Sequence, residues 1–436
     1  MAGEVWDTVC HQVNACALTG AAAFFAGIPG AVIVVNGQLW CYYYALRYLE
    51  KQDAAIGKRF FCSQAGSDAV VYGTEDCLTE TLAFIRDNLQ PTVLFIENSC
   101  SIGLIGDDIA GIAGQAGLSC PVVTLDSGGL QGGYWEGYRR AAKACFEALP
   151  PARREETVPR SVNLLGCGCY YNAAGDLREL KRLLALAGCQ VLACPGAGSS
   201  PAEIAAMTKA EMNIVVHEEL AGGIARWLRQ EYGMPYLSLL PPYGVKGTLT
   251  WLQAVGEALW LKETDLTPAR AEGCRREQTA RAALLEAQRI WGDLWFETTV
   301  VAGPASAALG LAQAARLEWL DTGFMTVMGH NGPAGYDIPA AVDVYLDGIA
   351  ASGEAAVKLA ALSGGLLLGS GSEQNLTRQV AGLLYQNIAM PVYDEVLLSG
   401  QPFMGLRGSS YLLERLWNHY IGLRRRAPRG HALERG

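Results

Sequence analysis

Between Val93 and Asp108 the sequence VLFIENSCSIGLIGDD changes physical character within a few residues. Val93 to Ile96 is a short, continuous apolar run that predicts a buried parallel strand, and Glu97, Asn98 and Ser99 close it. Cys100 follows at once. Gly103 and Gly106 let the backbone approach a neighbour closely, and Asp107 and Asp108 stand where a helix would begin, favoured there by its dipole. A thiol at the carboxyl end of a strand and ahead of a helix occupies the place where open α/β sheets hold their ligands. Taken alone, Cys100 reads as the small residue of a tight turn.

Two more cysteines change that reading. Cys16 precedes the Gly-Ala segment of ACALTGAA, and the apolar run Ala31 to Val35 leads through Asn36-Gly37-Gln38-Leu39-Trp40 to Cys41. Each is a thiol beside a glycine-containing turn next to an element of the same amino-terminal sheet. Three thiols so placed can converge on an iron–sulfur cluster, whose usual ligands are thiolates.

On these motifs the chain resembles the component 1 family of nitrogenase-like oxidoreductases, which includes nitrogenase subunits, a cofactor-assembly scaffold and dark-operative protochlorophyllide reductase. The likeness is sharpest in Cys100-Ser101-Ile102-Gly103-Leu104-Ile105-Gly106-Asp107-Asp108-Ile109, and departs from the family pattern around Cys41, where its His, Pro and second Gly are absent. Weaker likeness continues through Val71-Tyr72-Gly73, Asp126 to Tyr138, Tyr232-Gly233-Met234-Pro235 and Phe403 to Gly408. The resemblance implies three Rossmann-like α/β domains with parallel sheets flanked by helices. It implies Cys16, Cys41 and Cys100 as metal ligands, with Gly37, Gly103 and Gly106 lining a four-iron (4Fe-4S) or larger, P-cluster-like iron–sulfur cluster at a subunit interface. The implied partners are a homologous component 1 subunit, as homodimer or heterotetramer, an ATP-dependent homodimeric iron protein that delivers electrons, and a small-molecule substrate.

Registering on Tyr232-Gly233-Met234-Pro235, His217 falls where the nitrogenase catalytic subunit has its cofactor cysteine. The position of its cofactor histidine falls near Asp394 or Glu395. Neither ligand is retained, which argues against dinitrogen reduction by the usual cofactor on this chain. His217, Glu218 and Glu395 are the candidates for chemistry in an inter-domain cleft, by proton donation or by contact with a second metallocofactor. The rival roles are a cofactor-assembly scaffold, a non-catalytic electron-transfer partner subunit, and a small-molecule binding protein with buried thiols.

A chain of 436 residues, half hydrophobic, with 51 glycines, has room for two or three domains. The alternation of strands and helices predicts boundaries at 1–151, 152–280 and 281–423, with a basic tail at 424–436. Strands are expected at Ala31 to Val35, Ala69 to Tyr72, Val93 to Ile96, Val122 to Leu125, Val162 to Leu165, Gln190 to Ala193, Asn213 to Val216 and Thr298 to Ala302. Three more are expected near Met325, at Leu366 to Leu368 and at Met390 to Val392. A net charge of −9 argues against nucleic acid as a partner. No apolar run is long enough for a bilayer and no leader pattern opens the chain, so a cytoplasmic protein is expected, and its 13 cysteines are ligands or buried thiols rather than disulfides. Cys10, Cys62 and Cys77 flank the thiol region, and Cys167, Cys169, Cys189 and Cys194 read as strand-end core residues. Ser127 to Gly137 folds over the cluster or forms a surface loop. His330 opens a turn. No Gly-x-x-x-x-Gly-Lys-Ser/Thr pattern occurs, so ATP falls to another protein.

Overall fold

The structure is a computed structural model. It describes residues 15–168, 170–330, 335–347, 352–398 and 400–426. Among the described residues thirteen strands form three sheets in which every pairing is parallel.

The first sheet contains β1 (Ala31–Asn36), β2 (Phe60–Cys62), β3 (Val93–Asn98) and β4 (Val122–Asp126), in the order β2-β1-β3-β4. All six residues of β1 and the first five of β3 are buried, as expected of β-branched runs covered on both faces. Val32, Val34, Leu94 and Ile96 meet Leu78, Leu82 and Ile85 of the helix Glu75–Asn88 on one face. On the other, Phe95 stacks on Phe25 with centroids 3.8 Å apart.

The second sheet repeats that order, β6-β5-β7-β8, with β5 (Val158–Leu165), β6 (Gln190–Ala193), β7 (Ala210–Val215) and β8 (Tyr236–Ser238). The third comprises β9 (Trp295–Pro304), β10 (Asp321–His330), β11 (Val344–Asp347), β12 (Gly365–Gly369) and β13 (Leu383–Asn387), ordered β11-β10-β9-β12-β13. Each sheet therefore reverses its winding once, between β1 and β3, between β5 and β7, and between β9 and β12. At such points the loops leave in opposite directions and open a crevice at the strand ends.

Met1–Ala173 with Cys189–Leu239 forms one compact unit, which carries the first two sheets; Ala174–Gly188 with Leu240–Gly436 forms the other, which carries the third. Among the described residues no helix is long and apolar enough to cross a membrane.

Four sequence expectations need correction. Ala69 to Tyr72 is not a strand but part of the helix Ser67–Tyr72, which leaves Val71 and Tyr72 exposed and stops at Gly73, at φ +92°. The slot beside β1 is filled instead by Phe60–Cys62, whose three residues are too few to show an alternating pattern. Met390 to Val392 is not a strand either. Pro391 has no N–H to give a ladder, and its carbonyl accepts from Gly371 N–H at 2.6 Å, while β13 runs through Leu383–Asn387. His330 ends β10 and is buried rather than exposed, with Nε2 3.4 Å from Glu373 Oε1, while the turn expected to follow it at Asn331 to Pro333 lies outside the described residues. Finally, Arg424 to Arg426 continue the helix Gly405–Arg426, and the tail beyond them is also outside, as are Cys10 and Cys169.

Candidate functional site

The strand ends β1 and β3 meet at a polar hub. Asn36 and Asn98 are in register, and Asn36 Nδ2 donates to Asn98 Oδ1 and to Thr74 Oγ1, both at 3.1 Å. Ser63 Oγ donates to Asn36 Oδ1 at 2.8 Å and accepts from Gly37 N–H at 3.1 Å. Asn98 Nδ2 donates to Asp126 Oδ1 at 2.8 Å, which ties in β4. Thr74 gives its N–H and hydroxyl to Asp107 Oδ2 at 2.6 and 2.8 Å. Asp108 caps the helix Ile109–Gln115 through Gly111 N–H at 2.9 Å. Asp107 and Asp108 thus both accept from backbone donors, and Asp107 from a hydroxyl as well. The buried Asn36, Ser63 and Thr74 at the hub's centre, paired in this way, fix the turns that carry Cys41 and Cys100.

Cys41 sits in the first turn of the helix Leu39–Leu49, just past β1, and Cys100 opens the helix Cys100–Ile105, just past β3. Gly37 lets these turns close on each other, because a Cβ there would lie 2.3 Å from Ser99 Oγ. The glycine-rich segment after β4 folds against Cys100. Gly129 N–H donates to Cys100 Sγ at 2.8 Å, and a Cβ on Gly128 would meet Cys100 N at 2.6 Å. The same segment reaches Cys16, where Gly133 bridges Cys16 and Gly132 O accepts from Ala17 N–H at 3.0 Å. One loop therefore touches both Cys16 and Cys100, with Cys41 on the neighbouring strand end. Gly103 and Gly106 follow Cys100, on the same helix and at its end. Gly103 lies over Asp126, and Gly106 ends its helix at φ +80° with open space where a Cβ would be.

The donor chemistry fits a metal–sulfur group in part. Cys100 Sγ accepts from a backbone N–H, the kind of bond that supports a cluster sulfur. Yet among the described residues no three His, Cys, Asp or Glu side chains group closely enough to hold a metal ion. Cys62 and Cys77 are committed to carbonyls, Cys62 to Gly37 O at 3.4 Å and Cys77 to Thr74 O at 3.3 Å, and burial raises the pKa of both thiols. Cys167, Cys189 and Cys194 are buried.

Glu97 was not singled out from the sequence. It is fully buried, Ser127 Oγ donates to its Oε2 at 2.8 Å, and its Oε1 has no hydrogen-bond partner among the described residues. Burial pushes its pKa well above the usual carboxylate range, which favours the neutral form, and its bond to Ser127 braces the start of the glycine-rich loop. Glu97→Gln, which keeps an acceptor for Ser127 in a neutral group, is expected to change stability by less than about 1 kcal/mol. Glu97→Ala is expected to cost about 1–3 kcal/mol by orphaning the Ser127 hydroxyl. Urea titrations of the two variants check this, and equal losses would refute it.

In the second sheet His217 follows β7 at the winding reversal and leads the helix Glu218–Tyr232. It is buried edge-on to Tyr170, centroids 4.7 Å apart, and burial lowers its pKa to about 3. At neutral pH it is an uncharged imidazole, suited to offer a lone pair or an N–H but not a stored proton. Tyr170 OH donates to buried Glu219 at 3.0 Å, and the Tyr170 ring stacks on Tyr134 at 6.2 Å, so aromatic side chains fill the space beside His217. Glu218 is held by Arg226 at 2.9 Å and by the Ser238 hydroxyl at 2.5 Å. In the second unit Glu395 pairs with Arg415 and accepts from Asn387 Nδ2 at 3.1 Å. His217 and Glu218 are neighbours in one unit, and Glu395 belongs to the other.

Comparison with known proteins agrees with this architecture. The family model described as nitrogenase component 1 type oxidoreductase matches residues 16–420. The chain is 29% identical over 343 residues to one of the subunits of light-independent protochlorophyllide reductase from Methylobacterium sp. (strain 4-46), covering 75% of this chain and 64% of that protein. It is 26% identical over 239 residues to the nitrogenase iron-molybdenum cofactor biosynthesis protein NifE of Methanosarcina barkeri, covering 52% of this chain and 51% of that one. The chain thus spans between half and two thirds of the length of these curated relatives. The solved structure of nitrogenase Cp1 at pH 6.5 superposes with a TM-score of 0.77 at 16% identity, covering 98% of this chain and 96% of the other, a likeness of fold. With the family model running from Cys16 to Tyr420 over three parallel sheets, the chain belongs to the nitrogenase component 1 type oxidoreductase family.

Proposed function

We propose that the chain is a subunit of a nitrogenase-like iron–sulfur reductase, with Cys16, Cys41 and Cys100 as its share of the cluster ligands. The observation that carries this reading is the single glycine-rich loop that contacts both Cys16 and Cys100 beside the strand end leading to Cys41. The cluster would supply one-electron transfer. The chain's own part is to orient the three sulfurs, to direct the Gly129 N–H at Cys100, and to hold the cysteine-bearing turns through the Asn36 and Asn98 hub. Three thiols leave a ligand set that a homologous subunit completes. In support, Leu39, Trp40, Tyr44, Tyr72 and Leu104 are exposed on the very elements that carry or flank these cysteines. An ATP-hydrolysing iron protein would deliver the electrons. His217, Glu218 and Glu395 stand as the proposed substrate-side residues, His217 by lone-pair contact and the carboxylates once freed from their arginines, in a three-domain chain divided near residues 151 and 280.

A second reading has its own support. All three substrate-side candidates are already engaged by protein groups, as suits a cofactor-assembly scaffold or an electron-transfer partner that does no turnover. Iron and acid-labile sulfide content, with an EPR spectrum of the dithionite-reduced state, tests the common core on anaerobically purified protein with its copurifying subunit. Wild type is expected to hold iron and Cys100→Ala to lose most of it or change its spectrum; iron-free wild type overturns the assignment. Turnover with iron protein and ATP then separates the reductase from the scaffold or partner.

A further inference from the structure

Beside the end of the glycine-rich loop in the first unit, the helices Tyr134–Ala148 and Glu218–Tyr232 flank a half-open pocket of about 620 Å³. Its wall carries Arg139, Arg140 and Lys143 against one carboxylate, Glu136, and two indoles, Trp135 and Trp227. Glu136 is turned to its own helix start, where Oε2 accepts from Gly133 N–H at 2.7 Å. Arg140 donates to Gln131, and Lys143 lies 3.7 Å from exposed Glu147.

Arg139 is different. Half-buried, it lies 5.1 Å from the Trp135 ring centroid and against the backbone of Gly223, where a Cβ would come within 2.8 Å of Nη2. Among the described residues it makes no hydrogen bond and no ion pair. Burial and the Arg226 guanidinium lower its pKa, with Glu136 and Glu218 opposing from beyond pairing distance. A guanidinium within cation–π reach of an indole and unpaired among the described residues has donors to offer, and its fork matches a phosphate or carboxylate in bidentate geometry. Trp227 completes the wall, its ring parallel to that of Phe146 with centroids 6.0 Å apart, so it offers a rigid apolar face for a flat ring. The chain as a whole is net negative, so this excess of positive charge is local.

We propose that this pocket binds a small aromatic anion, its phosphate or carboxylate on Arg139 with Arg140 and Lys143 at the mouth, and its ring against Trp227. The volume is that of an ordinary small-ligand site, and neither charge nor ring alone accounts for the lining.

Isothermal titration of the full chain at about 150 mM salt, where weak surface attraction is screened, tests it with four probes: 1-naphthyl phosphate, 1-naphthoate, inorganic phosphate and 2-naphthol. One equivalent of a naphthyl anion is expected to bind, and whichever of the two binds tighter identifies the acid group. Arg139→Gln is expected to weaken it by about tenfold or more, and the exposed double variant Arg140→Gln with Lys143→Gln by about threefold. The double variant decides the matter if Arg139→Gln does not fold. The proposal is overturned by an absence of saturable heat, by inorganic phosphate or 2-naphthol binding as tightly as the naphthyl anions, or by folded variants that bind as wild type does.

Discussion

Gly137→Ala is expected to destabilise the first unit by about 3 kcal/mol or more, the cost of overpacking where backbone meets backbone. Gly137 lies on the helix Tyr134–Ala148 where it crosses the helix Ala17–Ala26, and a Cβ there would fall 1.8 Å from Ala17 O. Gly20 is the reciprocal contact, its Cβ falling 1.8 Å from Tyr134 O. No side chain can rotate away to relieve either clash, so the helices must part. Parting them moves Cys16, which precedes the first helix, away from Gly133, which precedes the second. Gly106→Ala is the control. Open space surrounds its Cβ position, so only the left-handed backbone opposes it, at about 1–2 kcal/mol. Urea titration of far-UV circular dichroism compares the two, and a Gly137→Ala loss no larger than that of Gly106→Ala would show the crossing to be pliable.

That crossing shows what a sequence does and does not disclose. Gly20 and Gly137 are unremarkable in a chain with 51 glycines, because a close approach is a property of two segments over 100 residues apart. What shows in one dimension is local: the β-branched runs that became β1 and β3, the change from apolar to polar before Cys100, and the carboxylate that caps at Asp108. Local signals also mislead. Asp68-Ala69-Val70-Val71-Tyr72 has strand composition, yet with Phe60–Cys62 beside β1 it winds into a short helix. The hub that fixes the cysteine loops was illegible for the same reason as the glycine crossing. Asn36 finds Thr74 and Asn98 across 38 and 62 residues, and nothing near any of them announces the others. The thiols themselves were legible only as a pattern of three similar settings. Their shared loop appears once β4 places the chain from Ser127 to Gly133 over Cys100.

In the second unit the largest effect belongs to Asp176, a carboxylate in the first turn of the helix Ala173–Leu186. It is buried, and its Oδ1 accepts from Phe403 N–H at 2.6 Å and Met404 N–H at 2.8 Å, which anchors the chain entering the helix Gly405–Arg426. Next to it Glu179, also buried, receives two bonds of 2.7 Å from Arg182, which in turn reaches Glu272 at 2.8 Å. Asp176→Ala leaves two buried amides without an acceptor, and the expected loss is about 2–5 kcal/mol. Asp176→Asn keeps the acceptor oxygen and is expected to lose far less at neutral pH. The two variants also differ from wild type in their pH dependence. Burial is the dominant influence on Asp176 and outweighs the two amides, so its pKa rises to about 7. A raised acid pKa means the folded state holds a proton that the unfolded chain has released. The contribution is fully present below the unfolded value of about 4 and is lost as pH climbs toward 7, at about 1.4 kcal/mol per unit. Asn at this position does not titrate. The stability gap between wild type and Asp176→Asn should therefore move in favour of the variant by up to about 4 kcal/mol between pH 4 and 7.5. Urea midpoints at several pH values across that range measure it directly. A gap that stays constant would mean that Asp176 is ionised throughout, with the two amides prevailing over burial.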